Sequence, residues 1–530
     1  MKSLEKLKEQ ALIHWQAKNL AEARIIFKKI LKKLPNDSEI LTYSGIVNLQ
    51  LNNFDVGVIN LRQALRLSPE NQTIKMNLAN GLTNLSIDQI KKLKLLEASA
   101  TLKEAIKLIP NNEFALFNLL KLNIQTKNYE ENLEIFEKLK KINSKNVTLF
   151  YVFGNSLFDQ KKYKDALEIY KDAIKINPEF LECYFNIALC YRFIGNNTKA
   201  FETYDVLSRL DPSNDKIKYF KSLFFLSIGD YSKGWDLYKY RWQAKKIEDK
   251  YLFKDKPLLK TLPNKNEKIL IWSEQGIGDV VLHSSLLEEM TKHSENIIVA
   301  VDNRLINLYQ RSFKKIEFIS MQNNLSNINF DKHLPLADIG SFFRTKSLDF
   351  QSQRNSFLEP QPELKKNIRD TLGVDNKIIC GISCYSANNK LEDKNINLNK
   401  LLFFLKDFNF KFINLDYIDN SKEIIHAKKK YNLNIDVINE IDKFNDLDSF
   451  ATLVSCCDLV ITISNITAHF AGALGIKTYL LLSNGPAKFW YWYDDKYSKW
   501  YPSIEIQENK ENNWEVTFKE LKKELSISFD

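Results

Sequence analysis

ILIWSEQGIGDVVLHSSL, residues 269–286, decides how the second half of this chain is read. An apolar run, 269–272, stops at a loop carrying Gly276 and Gly278, and Asp279 then opens a helical pattern. Strand, tight turn and helix N-terminus in that order form the arrangement with which α/β proteins hold phosphate groups. The first N–H groups of a helix have no partner within it, and they sit at the positive end of its dipole.

Further apolar runs lie outward from it, at 297–301, 316–319, 378–382, 410–415, 459–463 and 478–482, with helical stretches between most of them. Such alternation predicts parallel, doubly wound sheets. It divides into a half at 268–356 and a second half at 357–530, joined by a crossover at 357–372 that contains Pro360 and Pro362. A cleft between two such halves is the expected ligand site. The second half contains its own strand-to-helix turn, at 464–469.

Residues 1–245 follow a different rule. Pro35 and Pro69 stand 34 residues apart, as do Pro178 and Pro212; Pro110 follows Pro69 by 41, and Ser144 falls midway between Pro110 and Pro178. Small residues keep the register at Ala23, Gly57, Ala98, Ala166, Ala200 and Gly234, with Asn132 in the fourth unit. Phe27, Leu61, Leu102, Phe136, Tyr170, Tyr204 and Tyr238 each come four residues later. Each unit is two amphipathic helices, too small to bury its apolar face alone. Small residues let the helices approach, and the large residue four positions on fills the gap. About seven units are expected, one of them lengthened by the seven extra residues near 86–93. Lys-rich residues 246–267, with Pro257 and Pro263, read as a linker, and Trp235 and Trp242 as caps packing on the next domain.

A chain of 530 residues is too long for one core. Its net charge of +10 is spread through mixed-sign surface, with no dense basic patch or nucleic-acid motif, so nucleic acid is not an expected partner. The six cysteines form no paired array; Cys456 and Cys457 read as small core residues, and unpaired thiols suit a reducing compartment. The charged N-terminus is unlike a signal peptide, and no apolar run is long enough to span a membrane, so a cytoplasmic protein is expected. No His or Cys cluster indicates a metal or cofactor.

The repeat register resembles the tetratricopeptide repeat (TPR). That resemblance implies an α-solenoid, a TPR superhelix whose groove takes a protein or peptide. Asn77, Asn118 and Asn186 share one register position there. They resemble the asparagine ladder with which the TPR region of O-GlcNAc transferases grips extended backbone, since an amide both donates and accepts.

GIGDVVL, residues 276–282, is similar to the N-terminal motif of the bacterial ADP-heptose:lipopolysaccharide heptosyltransferases, glycosyltransferase family 9. SNITAHFAGALG at 464–475 and the tail around Trp490, Trp492 and Trp500 are similar to that family's later motifs. The resemblance implies a GT-B fold of two Rossmann-like domains. It also implies a nucleotide-diphosphate sugar as substrate, held mainly by the C-terminal half without a metal. Ser464, Asn465, Thr467, Ala468 and His469 would offer N–H groups and hydroxyls to the diphosphate, Gly472 would permit close packing, and Lys390 and Lys394 would add positive charge. Asp279 would be the base that takes the acceptor's proton, or else a helix cap, with Glu274 a second acid in the same Gly276/Gly278 loop. His469 reads either as a phosphate contact or as an orienter of its loop, and His283 as packing. Two departures stand out: Ser464-Asn465 replaces Asp-Thr, and Tyr491 stands where the family often carries Arg. The expected function is therefore an inverting glycosyltransferase acting on a protein or surface-glycan acceptor. The competing expectation is a non-catalytic TPR scaffold with a degenerate glycosyltransferase domain.

Overall fold

The computed structural model describes residues 2–244, 253, 256–323, 325–373, 377–386, 394–486, 488–493, 496–510 and 512–529. They form two compact units, Met1–Leu210 and Asp211–Asp530.

The first unit is all helical, six pairs in sequence: α1 Lys2–Gln16, α2 Leu20–Lys33, α3 Ser38–Gln50, α4 Phe54–Leu67, α5 Gln72–Lys91, α6 Leu95–Leu108, α7 Glu113–Gln125, α8 Asn132–Ile142, α9 Val147–Asp159, α10 Tyr163–Ile176, α11 Leu181–Ile194 and α12 Asn197–Leu210. The small residues act as the register predicts. A Cβ on Gly57 would lie 2.7 Å from Leu49 Cδ2 on the paired helix. The extra residues of the third unit lengthen α5 to 20 residues, against 13 for α3. In the fourth unit the side chain of Asn132 replaces the missing small residue by bonding across the helices. It accepts from Asn123 Nδ2 at 3.1 Å and donates to Ser156 Oγ at 2.9 Å, all three residues being buried.

Two further periodic features emerge from the structure. Asp37, Asn71, Asn112 and Asn146 each cap the first helix of their unit through the side-chain oxygen. The turn inside each unit uses one left-handed residue: Lys18, Asn52, Leu93, Lys127, Lys161 and Gly195, with Gly229 in the seventh.

The second unit opens with that seventh pair, α13 Asp215–Ser227 and α14 Tyr231–Tyr238, and a short α15 Arg241–Ala244. The division between units thus falls before the last repeat, not at 245. The physical reason is aromatic packing. Trp235 donates to Arg344 O at 2.7 Å and lies against Gly340, where a Cβ would come within 2.3 Å of its ring; Trp242 packs on Trp272.

Two parallel sheets follow. The first has the order β3-β2-β1-β4, from β1 Lys268–Trp272, β2 Asn296–Val301, β3 Glu317–Ser320 and β4 Lys332–Pro335. The second has the order β10-β9-β8-β5-β6-β7, from β5 Ile378–Ser383, β6 Phe410–Asn414, β7 Ile435–Asp436, β8 Leu459–Ile463, β9 Lys477–Ser483 and β10 Ile504–Asn509. The order reverses between β1 and β4 and again between β5 and β8; such reversals open crevices at the strands' carboxyl ends. Part of the expected linker is built into the first sheet, where Leu258 bridges His333 and Leu259 N donates to His333 O at 2.8 Å. The expected crossover becomes the helix Pro362–Leu372, reached after the N–H groups of Phe357 and Leu358 both bond Ala473 O.

Candidate functional site

The strand ends converge on a cleft of ≈ 400 Å³. Every residue lining it follows the carboxyl end of a strand. Gly276, Gly278 and Asp279 come after β1, Arg304 after β2, Ser386 and Lys394 after β5, Tyr417 after β6, Lys443 and Phe444 after β7, Ser464, Asn465 and His469 after β8, and Phe489 and Tyr491 after β9. An adjoining cavity of ≈ 480 Å³ shares Tyr417, Lys443 and Phe444.

The floor of the cleft is pinned by Asn465. Its Nδ2 donates to Ser383 Oγ at 2.8 Å and to Tyr385 O at 3.0 Å, tying the end of β8 to the end of β5 across the reversal. Its Oδ1 accepts from Thr462 Oγ1 and from the N–H groups of Thr467 and Ala468, capping the helix Ile466–Ala473. This corrects the expectation that Thr467 and Ala468 offer their N–H groups to a diphosphate: the cap already takes them, and neither residue lines the cleft. The Asn465 amide holds the turn, a task that needs a donor and an acceptor in one side chain.

Asp279 lies in the first turn of α16, Ile277–Ser284, where its charge also suits the helix dipole; the residue preceding this helix, Gly276, has no side chain to cap it. Tyr491 lines the cleft with Asp279, and burial, then the nearby Asp279 charge, pushes its phenol pKa up. The Tyr491 phenol therefore stands by the acid where the resembling family often has a guanidinium. Lys394 is nearly buried. Its Nζ donates to Ser464 O at 3.3 Å and lies 4.3 Å from the Phe489 ring centre. Burial brings its pKa down to about 8, against the opposing pull of Asp279. Ser464 Oγ accepts from Trp492 Nε1 at 3.1 Å.

His469 is neutral, its pKa pushed down to about 3 by burial and then by Lys394. Its Nδ1 meets Tyr501 OH at 3.0 Å, and its other edge faces Gly278, where a Cβ would lie 2.7 Å from Cδ2. A glycine at 278 is thus what lets α16 touch the helix Ile466–Ala473. His283 is packing, as its sequence context indicated. It sits among Trp235, Trp490 and Trp500, and burial takes its pKa to about 3.

Two basic side chains on the cleft wall were not singled out from the sequence. Arg304 is held by Asp302 through Nε and Nη2, both at 2.9 Å, and donates to Phe444 O. Lys443 Nζ donates to Asn414 O at 2.7 Å and Asp416 O at 3.1 Å; burial lowers its pKa. Arg304 lies in the one-turn 3-10 helix Asn303–Leu305 and Lys443 in a turn, each a lone basic residue that no spacing marked. Beneath them burial raises Asp416 to about pKa 6, although its carboxylate accepts from Ser383 Oγ and the N–H groups of Cys384 and Tyr385.

Other expected site residues lie elsewhere. Glu274 is no base candidate: its side chain is buried in an ion pair with Arg241 at 2.9 Å, away from the cleft lining. Gly472 serves packing, since a Cβ there would lie 2.5 Å from the Tyr501 ring. Lys390 lies outside the described residues. In the first unit, Asn118 donates to Phe114 O one turn back, and Asn186 donates to Asn155 Oδ1 at 2.8 Å and Tyr170 OH at 3.1 Å. Asn118 therefore bonds within its own helix and Asn186 bonds the preceding repeat, while Asn77 is half-buried on α5.

Comparison with known proteins supports the helical region. Residues 154–192 match a family model described as TPR repeat, and residues 182–214 one described as tetratricopeptide repeat. The chain carries TPR repeats. It is similar to Protein FlbA of Caulobacter vibrioides, at 23% identity over 396 residues, 71% of this chain and 66% of that protein. The chain thus spans just under two thirds of the relative's length. Similar solved structures include the C-terminal part of a TPR repeat-containing protein from Cytophaga hutchinsonii (14% identity, 46% of this chain, 96% of that chain, TM-score 0.37). Another is YrrB, described as a TPR protein with an unusual peptide-binding site (17%, 37% of this chain, 98% of that chain, TM-score 0.31). Among the described residues no helix is long and apolar enough to cross a membrane.

Proposed function

We propose that the α/β unit is an inverting, metal-independent glycosyltransferase of GT-B type, cytoplasmic, and that the TPR array presents its protein or surface-glycan acceptor. One observation carries this reading: Asp279, after β1 of one sheet, and Lys394 with Ser464, after β5 and β8 of the other, line the same cleft. That arrangement suits a displacement at an anomeric carbon. The acceptor oxygen attacks while Asp279 takes its proton. The bond from carbon to the nucleotide oxygen breaks, and the diphosphate leaves with the electron pair beside Lys394, with Arg304 and Lys443 further along the wall. At neutral pH Lys394 is mostly protonated, and a bound anion would hold it so.

The test incubates the purified chain with a panel of nucleotide sugars and cell extract. Transfer that is lost in Asp279→Ala, with nucleotide binding kept, supports the reading. No binding, donor hydrolysis or transfer with any donor refutes it.

A second reading is a TPR interaction scaffold whose cleft no longer turns over substrate. The capped N–H groups of Thr467 and Ala468 favour it, because that helix start is already satisfied from within. Under this reading Asp279→Ala would fully support the protein's cellular role.

A further inference from the structure

The last repeat grips the loop that carries Asp279. Arg241 is wholly buried at the start of α15. Its Nη1 donates to Asp338 Oδ1 at 2.7 Å and to Tyr238 O at 3.3 Å, and its Nη2 donates to Glu274 Oε1 at 2.9 Å. The guanidinium lies 4.6 Å from the Tyr238 ring centre and 4.4 Å from that of Trp242. Gln275 Nε2 in turn donates to Tyr238 OH at 2.9 Å. Glu274 and Gln275 immediately precede Gly276, so two successive residues of the approach to the turn are tied to α14 and α15.

The other neighbour of Asp279 is tied to the same repeat. Trp490, which precedes Tyr491, packs edge-on against Trp235 with ring centres 5.6 Å apart. The Asp279 turn and the Tyr491 segment that faces it across the cleft thus both rest on elements braced by one helical hairpin.

We propose that Arg241 is a positioning residue for the 276–279 turn, so that the seventh TPR hairpin is a working part of the cleft and not a spacer. The proposal rests on the glycosyltransferase reading above. A planar guanidinium reaches Asp338 and Glu274 at once and stacks between two rings; the single ammonium of lysine does neither well. Removing Arg241 alone would leave the buried Glu274 carboxylate and the part-buried Asp338 without their cation, which destabilises the fold whatever its role. The informative variant therefore neutralises the whole cluster: Arg241→Met with Glu274→Gln and Asp338→Asn. Tyr238→Phe, which removes only the acceptor of the Gln275 bond, is the milder companion.

The assay measures kcat and donor KM on the full chain, with a thermal melt and ADP and UDP affinities for each variant. The expected result is a triple variant that melts near wild type and keeps donor KM and nucleotide affinity within about threefold. Its kcat falls by about tenfold or more, and that of Tyr238→Phe falls by about threefold. A purely structural role would let kcat recover with stability. If wild type transfers sugar and both variants match it, the positioning role is overturned while the cleft reading stands. If the triple variant does not fold, Arg241→Lys is read in its place: it keeps the charge and loses the fork to Glu274 and Asp338, and an unchanged kcat there overturns the role. If wild type neither binds nucleotide nor transfers sugar, the cleft reading fails and the positioning role falls with it.

Discussion

Gly278→Ala tests whether the two strand-to-helix turns must touch. The added methyl would lie 2.7 Å from Cδ2 and 2.8 Å from Nε2 of His469. Unstrained carbon contacts need about 3.5 Å or more, so one side must give by about 0.8 Å. The imidazole cannot swing aside. It is buried, bonded to Tyr501 OH at 3.0 Å, and flanked by the rings of Tyr491 and Trp492 at 5.6 and 5.5 Å. The movement therefore falls on α16, and Asp279, the next residue, moves with it. Overpacking of this kind costs about 1–3 kcal/mol, read as a lower urea midpoint at unchanged slope. If Asp279 acts as proposed, a displacement near 1 Å lowers kcat by up to about 100-fold with little change in nucleotide affinity. Adding His469→Ala should restore part of the stability, because it makes room for the methyl. A Gly278→Ala protein with wild-type midpoint and rate would refute the reasoning.

Asn132→Ala restores the small residue that the repeat register favours, yet it should destabilise the first unit by about 1–3 kcal/mol. It leaves Asn123 Nδ2 and Ser156 without their buried partner, and urea unfolding checks it. Leu93, exposed and left-handed at φ 60°, occupies the place where two units use glycine; Leu93→Gly should stabilise by up to about 1 kcal/mol, read the same way. His283 stays neutral in the fold, with a pKa near 3 against about 6.5 unfolded, so between those values the unfolded chain binds the extra proton and acid destabilises. Asp416, raised to about 6, works in the opposite sense between about pH 4 and 6. His283→Phe should therefore lower the slope of stability against pH between about pH 4 and 6 by about one proton, roughly 1.4 kcal/mol per pH unit, measured as urea midpoints across the range.

The repeat register was legible because it rests on small residues whose spacing is visible in the chain. Gly57 and Gly234 sit where their helices cross, and the extra residues lengthen α5. The left-handed turn position was not legible, since Lys, Asn and Leu share it with Gly. Strands with apolar runs could be read; β4 and β7, four and two residues long with charged members, and β10, where Glu505, Gln507 and Glu508 interrupt the apolar residues, could not. The first turn was marked by Gly276 and Gly278, and both turns by the helical patterns that follow. What the sequence could not reveal was which hydrogen bonds were already made. Asn465 reads as a ligand until its amide is seen holding both strand ends. Glu274 reads as an acid in the right loop until Arg241, 33 residues earlier, is seen beside it. Arg304 and Lys443 reach the cleft only because their loops follow β2 and β7 to the same face.

The account turns on whether this cleft holds a nucleotide. The most direct measurement is calorimetric titration of the full chain with ADP, UDP, GDP and CMP, repeated with Lys394→Met. The account predicts saturable binding of at least one of them, weakened about tenfold or more in Lys394→Met and retained in Asp279→Ala. Absence of binding by all four, or binding that Lys394→Met leaves unchanged, would contradict it.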